Sequence, residues 1–272
     1  MRTRSGESGR DQDRGRKHES HARKLARAVA LSAIAAAIGC QQEVADLDGA
    51  FYDGDNRLVH CGVNLDTSAR NSIDSVDSGL DRALDRDEVV ELYAHHPGVT
   101  VPLDKLEHVL AGARDRGLAF VTYADFASGT YASPGLALSF DDTFVESWVA
   151  LRPMLQQYQA RVTFFVSRYH TLDDDGRAGL KLLQADGHDI EAHSVNHVRA
   201  PDYVENYGMD AYLRTELDPS IEIMRNDGFE IQAFAYPFGA RTSELDRAIG
   251  KRVSVIRSVS FAYTIVQSPC PR

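Results

Sequence analysis

The chain has 272 residues, 43% of them apolar, which is enough for one large domain or two small ones with a substantial core. Its formal net charge is −10. Removal of residues 1–39, which hold nine basic and four acidic residues, leaves 21 basic and 36 acidic residues, or −15. So acidic a surface argues against binding to nucleic acid or anionic lipid through surface charge, and it suits a neutral or cationic substrate.

The N-terminus has the pattern of an export signal. Residues 1–27 are polar and basic, and a 12-residue uncharged run, AVALSAIAAAIG (28–39), precedes Cys40. This run is too short to span a membrane, which takes about 20 residues. The cysteine after it resembles the lipobox of bacterial lipoproteins, in which that residue is lipidated and becomes the mature N-terminus. We therefore expect an exported cell-envelope protein, facing the periplasm or the exterior, whose only membrane contact is a lipid on Cys40. An ordinary signal peptide is the alternative.

Two further cysteines, Cys61 and Cys270, remain after removal of the signal. An oxidising compartment permits them to pair, and the bridge would then tie the two ends of the folded region together. Two cysteines do not make a disulfide framework, so the sequence leaves both pairing and free thiols open.

Residues 40–87 are rich in Asp, Ser, Gly and Asn, show little periodicity, and are predicted to be a tether and irregular lead-in. From residue 88 to 272, strand-like and helix-like patterns alternate without hairpin signals, which favours a parallel α/β sheet or barrel. The predicted elements in chain order are strand 89–94, helix 103–117, strands 118–123 and 136–140, helix 145–158 despite Pro153, strand 162–166, helix 178–187, strand 188–193, helix 212–228 and strand 231–236.

Three of the predicted strands end in residues of unusual chemistry: Asp141-Asp142, then His193 with His197 just beyond, then YPFG (236–239). In parallel α/β folds the reactive groups collect at this end of the strands. Two imidazoles and one carboxylate are typical of a catalytic zinc site with an open position. A divalent cation also explains how two adjacent aspartates are tolerated. Each pattern alone is more often structural, but their coincidence at strand ends favours a metal site.

The segments SFDD (139–142), HSVNH (193–197) and YPFG (236–239) stand in the order of the first three motifs of the polysaccharide deacetylase family, also called the NodB-homology or carbohydrate esterase family 4 domain. The chain resembles this family over roughly residues 88–249, and its FAYPFG variant is similar to members that deacetylate poly-N-acetylglucosamine. The resemblance implies a distorted (β/α)7-type barrel. It also implies a metal-dependent hydrolase that removes acetyl groups from an N-acetylated polysaccharide, its expected partner.

The resemblance also implies a role for each motif residue. The implied metal ligands are Asp142, His193 and His197. Zn²⁺ is the expected divalent metal, with Co²⁺ or Ni²⁺ also suited to the site. Asp141 is the implied general base. The implied substrate and oxyanion residues are Tyr236, Pro237 and Phe238, the last through its backbone N–H. Ser194 is expected to orient the histidine-bearing loop.

The sequence departs from the family pattern in two places. Ala235 stands where many members have an arginine that holds the catalytic aspartate. The family also supplies a general-acid histidine from a late strand, whereas no histidine follows His197 in this chain. The domain is therefore predicted to lack its last strands. His95 and His96, which follow the first predicted strand, are interpreted as solvated loop residues.

These departures leave three functions open. The first is removal of acetyl groups from an N-acetylglucosamine polymer. The second is a catalytically inactive glycan-binding lipoprotein with a residual metal site. The third is an esterase acting on the O-acetyl groups of xylan-type polymers, which uses the same kind of site.

Overall fold

The computed structural model describes residues 42–261 and residue 270. The predicted export signal (1–39) and the predicted lipidation site, Cys40, lie outside these described residues. Within them, no helix combines the length and the apolar character needed to cross a bilayer.

Nine strands of the described region form one sheet, and seven of them close into a barrel of parallel strands. The strands are β1 (Phe51–Tyr52), β2 (Val59–Asn64), β3 (Val89–Ala94), β4 (Ala119–Phe120), β5 (Gly135–Asp142), β6 (Thr163–Val166), β7 (Asp189–Ala192), β8 (Ala233–Ala235) and β9 (Val255–Ser260). The ring runs β2–β3–β5–β6–β7–β8–β9 and returns to β2. β1 lies antiparallel to β3, and β4 adds to β5, both outside the ring. The predicted (β/α)7-type barrel is confirmed.

Helices connect successive ring strands, because parallel neighbours need a crossover connection. They are α1 (Ile73–Arg86), α2 (Leu103–Asp115), α3 (Tyr123–Ser128), α4 (Val145–Ala150), α5 (Arg152–Gln157), α6 (Asp174–Ala185), α7 (Ala200–Tyr207), α8 (Met209–Tyr212), α9 (Asp218–Asn226) and α10 (Ser243–Ile249). A π-helical segment, Leu213–Leu217, joins α8 to α9.

The ring strands direct alternate side chains to opposite faces, so that they contribute to two separate cores. In β5, Leu138 and Phe140 belong to the main core, which also contains the buried faces of the helices. Ala137 belongs to a smaller core together with Phe165 and other residues from strands around the ring, which places that core inside the barrel. Asp141 follows Ala137 by four residues and therefore points to the same interior face.

The prediction that residues 40–87 form an irregular lead-in is wrong, because this segment contains β1, the ring strand β2 and the 14-residue helix α1. Ser72 caps α1 by accepting a backbone N–H of the first turn, and Val76, Leu80 and Ala83 are buried at helical spacing. Aspartates and serines between these positions obscured the apolar stripe. β2 is buried on both faces, so it lacks the alternation that marks a half-exposed strand.

The prediction that the barrel lacks its last strands is also wrong. β9 pairs with β2 over five residues, from Val59↔Ile256 to Val63↔Ser260, and this pairing closes the ring. In a closed ring the first strand neighbours the last one, so an early strand fills a place that was assigned to a late one.

Two other predicted elements are shorter or broken. Of the predicted strand 118–123, only Ala119–Phe120 is extended, because Thr122 and Asp125 form a capping box that begins α3. The predicted helix 145–158 divides at Leu151 into α4 and α5, just before Pro153. Proline cannot donate the hydrogen bond that would continue the helix.

The pairing of cysteines that the sequence left open is present in the structure. Cys61 of β2 is bonded to Cys270 across a separation of 209 residues. The bridge therefore attaches Cys270 to one of the two strands that close the ring.

The buried His188 is expected to make the fold sensitive to acid. Its ring is 5% exposed, Nδ1 accepts the backbone N–H of Val162 at 3.3 Å, and burial lowers its pKa from 6.5 to about 4. Because this pKa is lower in the folded than in the unfolded chain, the stabilisation is present above pH 6.5 and is lost as the pH falls towards 4. Between pH 7.5 and 5.0 the loss amounts to about 2 kcal/mol.

We expect His188→Asn, which keeps an acceptor for Val162 but does not titrate, to lose about 2 kcal/mol less stability than the wild type between pH 7.5 and 5.0. Urea unfolding at both pH values measures this difference. The exposed His170 provides a control, since His170→Asn should keep the wild-type pH dependence. Equal losses in the wild type and His188→Asn would rule out the assignment.

Candidate active site

The carboxyl ends of the ring strands converge on one rim of the barrel, where parallel α/β barrels carry their chemistry. β5 ends at Asp141 and Asp142, His193 follows β7, and residues 237–239 follow β8. Asp142 lies level with Val166 of β6, which lies level with the residue before His193. The three motifs separated in the sequence are therefore neighbours in space.

Asp142, His193 and His197 form a set of possible metal ligands whose ligand atoms lie within 4.8 Å of one another. Oδ1 of Asp142 is 3.1 Å from Nε2 of His197 and 3.8 Å from Nε2 of His193. This carboxylate oxygen is buried and accepts no hydrogen bond from the described residues. Since buried acceptors in proteins nearly always have a partner, the oxygen and the two ring nitrogens fit a divalent cation.

The two imidazoles have the protonation that metal binding requires. Nδ1 of His193 lies 2.9 Å from the carbonyl oxygen of Ala235. A carbonyl only accepts, so Nδ1 carries the proton and the lone pair of Nε2 faces Asp142. Burial is the largest cause of the lowered pKa of both His193 and His197, and the charge of Arg168 lowers the pKa of His197 further.

The HSVNH segment is a tight turn held from two sides. The Ser194 hydroxyl oxygen accepts the backbone N–H of His197 at 3.0 Å, and the Glu216 carboxylate accepts the backbone and side-chain N–H groups of Asn196 at 2.8 and 2.7 Å. Ser194 and His197 have left-handed φ values of 66° and 59°, and φ of Asp142 is 82°. Such conformations cost about 1–2 kcal/mol each, so the surrounding packing holds the ligands in strained positions.

Asp141 is buried and forms an ion pair with Arg257 of β9. The guanidinium lies 4.7 Å from the ring centre of Tyr93 and 5.2 Å from that of Phe165. Burial opposes the charge of Arg257, but Asp141 and the adjacent tyrosines raise its pKa above the ordinary value. Arg257 thus supplies, from another strand, the cation that the sequence lacks at Ala235.

The third motif brings only one of its predicted side chains to the rim. Tyr236 is buried and its hydroxyl donates to Asp246 at 3.0 Å, and Pro237 is buried as well. Their side chains shape the turn and do not face the site, which differs from the expected substrate role. Phe238 is 60% exposed at a φ of 60°, with its ring 4.7 Å from that of His197.

A histidine that was interpreted as a loop residue also reaches this rim. β3 pairs with β5 so that Ala94 lies level with Phe140, which places His95 beside Asp141. Nδ1 of His95 hydrogen-bonds to the carboxylate of Asp66. Burial alone would lower the pKa of His95, but Asp66 and the charges of the two site aspartates raise it.

Further contacts fix the orientation of His95. Asp66 Oδ1 accepts the His95 backbone N–H at 3.2 Å and the Thr100 hydroxyl at 2.9 Å, and the indole N–H of Trp148 donates to the His95 carbonyl at 3.2 Å. The sequence does contain a signal for this residue. His95 follows the strand VVELYA directly, as His193 follows its own strand, but the family pattern directed attention to late strands only.

Comparison with known proteins agrees with this geometry. Residues 128–253 match the family model of polysaccharide deacetylase. The chain carries a polysaccharide deacetylase domain. The matched range contains the metal ligands and the third motif, whereas His95 and Arg257 lie on either side of it.

Solved structures of deacetylases have a similar fold. IcaB from Ammonifex degensii matches with a TM-score of 0.50 at 17% identity, over 61% of this chain and 81% of that one. The Streptococcus pyogenes deacetylase PplD in complex with acetate matches with 0.48 at 18% identity, over 60% and 78%. A de-N-acetylase from Aggregatibacter actinomycetemcomitans matches with 0.49 at 15% identity, over 62% and 84%. No curated protein sequence matches the chain significantly.

The buried pair of Asp141 and Arg257 is expected to be strongly coupled in stability. Arg257→Met leaves the carboxylate buried without a cation, and we expect it to lower the free energy of unfolding by about 3–5 kcal/mol. Adding Asp141→Asn removes the uncompensated charge and should recover a measurable part of this loss. Chemical denaturation of the wild type, both single variants and the double variant gives the coupling energy.

The more exposed pair of Arg252 and Asp218, whose side chains are 30% and 34% exposed, provides the control. Arg252→Met should cost less than about 1 kcal/mol. Additive losses for Arg257→Met and Asp141→Asn would contradict the ion pair.

Proposed function

We propose that the protein is a metal-dependent hydrolase that removes acetyl groups from an N-acetylated polysaccharide, an N-acetylglucosamine polymer. The observation that supports this most is the presence on one rim of a possible metal site, a buried base and a candidate acid. They are Asp142 with His193 and His197, Asp141 with Arg257, and His95 with Asp66. The deacetylase domain supports a polysaccharide as the substrate.

Asp142, His193 and His197 would hold the metal. One carboxylate and two imidazoles suit Zn²⁺, our first choice, and also Co²⁺ or Ni²⁺. When bound, such a metal polarises the acetyl carbonyl and makes water a stronger acid. The chain's own contribution is a rigid ligand set, since the strained turn of Ser194 and the Ala235 carbonyl fix the two imidazoles.

Asp141 is proposed as the general base. It takes a proton from the attacking water as the new bond to the acetyl carbon forms. Arg257 holds the carboxylate in place and compensates its buried charge. The backbone N–H of Phe238 is proposed to donate to the oxygen that becomes negative at the same time.

His95 is proposed as the general acid. As the bond between carbon and nitrogen breaks, His95 gives a proton to the leaving amine, and the products are acetate and a free amino sugar. The raised pKa of His95 favours the protonated form that this step needs. An inactive glycan-binding protein was a strong alternative only because the sequence showed no acid, and His95 removes that reason.

We also propose that residues 1–39 direct export and that Cys40 carries a lipid, which would place the enzyme in the cell envelope. The sequence pattern and the Cys61–Cys270 disulfide, which suits an oxidising compartment, support this. Replacement of Cys40 by Ser is then expected to move the protein from the membrane fraction to the soluble fraction of a bacterial host. An unchanged fractionation would argue against the lipid anchor.

The acid and the base are expected to differ in their response to the leaving group. Asp141→Asn should abolish acetate release from both N-acetylglucosamine oligomers and an aryl acetate. His95→Gln should reduce amide hydrolysis by about 10²–10⁴-fold but leave most aryl acetate hydrolysis, because a phenolate leaves without a proton. Acetate is measured with Zn²⁺-loaded protein, and calorimetry follows metal binding.

His197→Ala is the matched variant for the metal site, and it should lose both metal affinity and activity, whereas Asp141→Asn and His95→Gln keep the metal. Metal binding without acetate release by the wild type would indicate a binding module. Release only from acetylxylan would indicate the esterase, and absence of metal binding would refute the whole assignment.

A further inference from the structure

Arg168 is anchored to the loop that carries the metal ligands. It lies two residues after β6, and its backbone N–H donates to the carbonyl of Ser194 at 3.3 Å. Its own carbonyl accepts from the backbone N–H and the hydroxyl of Thr171, both at 2.8 Å. Arg168 has a left-handed φ of 50°, as do Ser194 and His197 on the other side of this contact. Its backbone position on the rim is therefore fixed.

The side chain of Arg168 is exposed, and no carboxylate of the described residues pairs with it. This is unusual in so acidic a chain. Other arginines on the same half of the sequence have carboxylate partners, for example Arg161 with Asp125 and Arg177 with Asp227. The rim thus carries a guanidinium with free donors close to the proposed metal site.

A guanidinium presents a planar array of N–H donors that matches a carboxylate in two parallel hydrogen bonds. Neutral sugars offer only hydroxyls and amides, which do not need a charged partner. The remaining surface is acidic and repels an anionic polymer, so an isolated cation at the rim selects where a negative group is accepted.

We propose that Arg168 binds a carboxylate of the polysaccharide, carried on or next to the sugar that loses its acetyl group. The preferred substrate is then an N-acetylated polymer with acidic sugars. This inference rests on the proposed deacetylase function and adds the chemical class of its substrate.

The test compares two oligosaccharides that differ only in charge. One alternates N-acetylglucosamine with glucuronate, and in the other the glucuronates are reduced to glucose. We expect kcat/KM for acetate release by the Zn²⁺-loaded wild type to favour the acidic oligomer roughly tenfold, the value of one charge-assisted hydrogen bond near the surface. Arg168→Met should abolish this preference, and Arg168→Lys should retain part of it.

Arg86 provides the matched control. It is exposed at the end of α1 and just precedes β3, so it lies at the opposite end of the ring. Arg86→Met should keep the wild-type preference. Equal kcat/KM values for the two oligomers in the wild type, or a preference that persists in Arg168→Met, would overturn the proposal.

Binding separates this proposal from the proposed function. Calorimetry with Zn²⁺-loaded Asp141→Asn measures the affinity for both oligomers without turnover. If the wild type releases no acetate from any substrate, the deacetylase assignment fails, while a tenfold affinity difference that disappears in the Asp141→Asn, Arg168→Met double variant would still support carboxylate binding. Equal affinities would exclude it.

Discussion

The closure of the ring between β2 and β9 is the constraint on which the site depends. Five registered residue pairs join these strands, although nearly 200 residues of chain separate them. Closure makes β9 part of a barrel wall that faces β5 across the interior, and only this arrangement lets Arg257 reach Asp141. The Cys61–Cys270 bridge begins on the same closing strand, next to the residue that pairs with Arg257. The stability of the closing pair and the position of the proposed base are therefore linked.

Two adjacent aspartates are stable at the end of β5 because they have different partners. Asp141 points into the barrel, where its charge meets Arg257. Asp142 leaves the strand conformation with a left-handed φ of 82°, which turns its carboxylate towards His193 and His197. A regular strand would also direct the two side chains apart, but it would not bring Asp142 to the imidazoles. The backbone distortion therefore separates the proposed base from the proposed ligand while it keeps both within one site.

The sequence predicted those parts of the site that lie in short local segments. Asp141, Asp142 and the HSVNH segment were recognisable because their residue types and spacing already describe a metal site, and the alternation of strands and helices predicted the barrel. His95 and Arg257 were missed because each reaches the site through strand pairing, β3 beside β5 and β9 beside β2, and no local pattern encodes such contacts. The lead-in 40–87 was misjudged because a doubly buried strand and an aspartate-rich helix both lack a clear periodic signal.

Backbone strain is concentrated at the proposed site. Nine non-glycine residues of the described region have a left-handed φ, and five of them lie at this rim. The five are Asp142, Arg168, Ser194, His197 and Phe238. A left-handed residue reverses the direction of the chain within one step, so a short loop can direct successive side chains to different partners. Flexible loops would reach the same positions only part of the time. The closed barrel and its two cores hold the conformations in place, and the cost of the strain at the rim is offset by packing elsewhere in the fold.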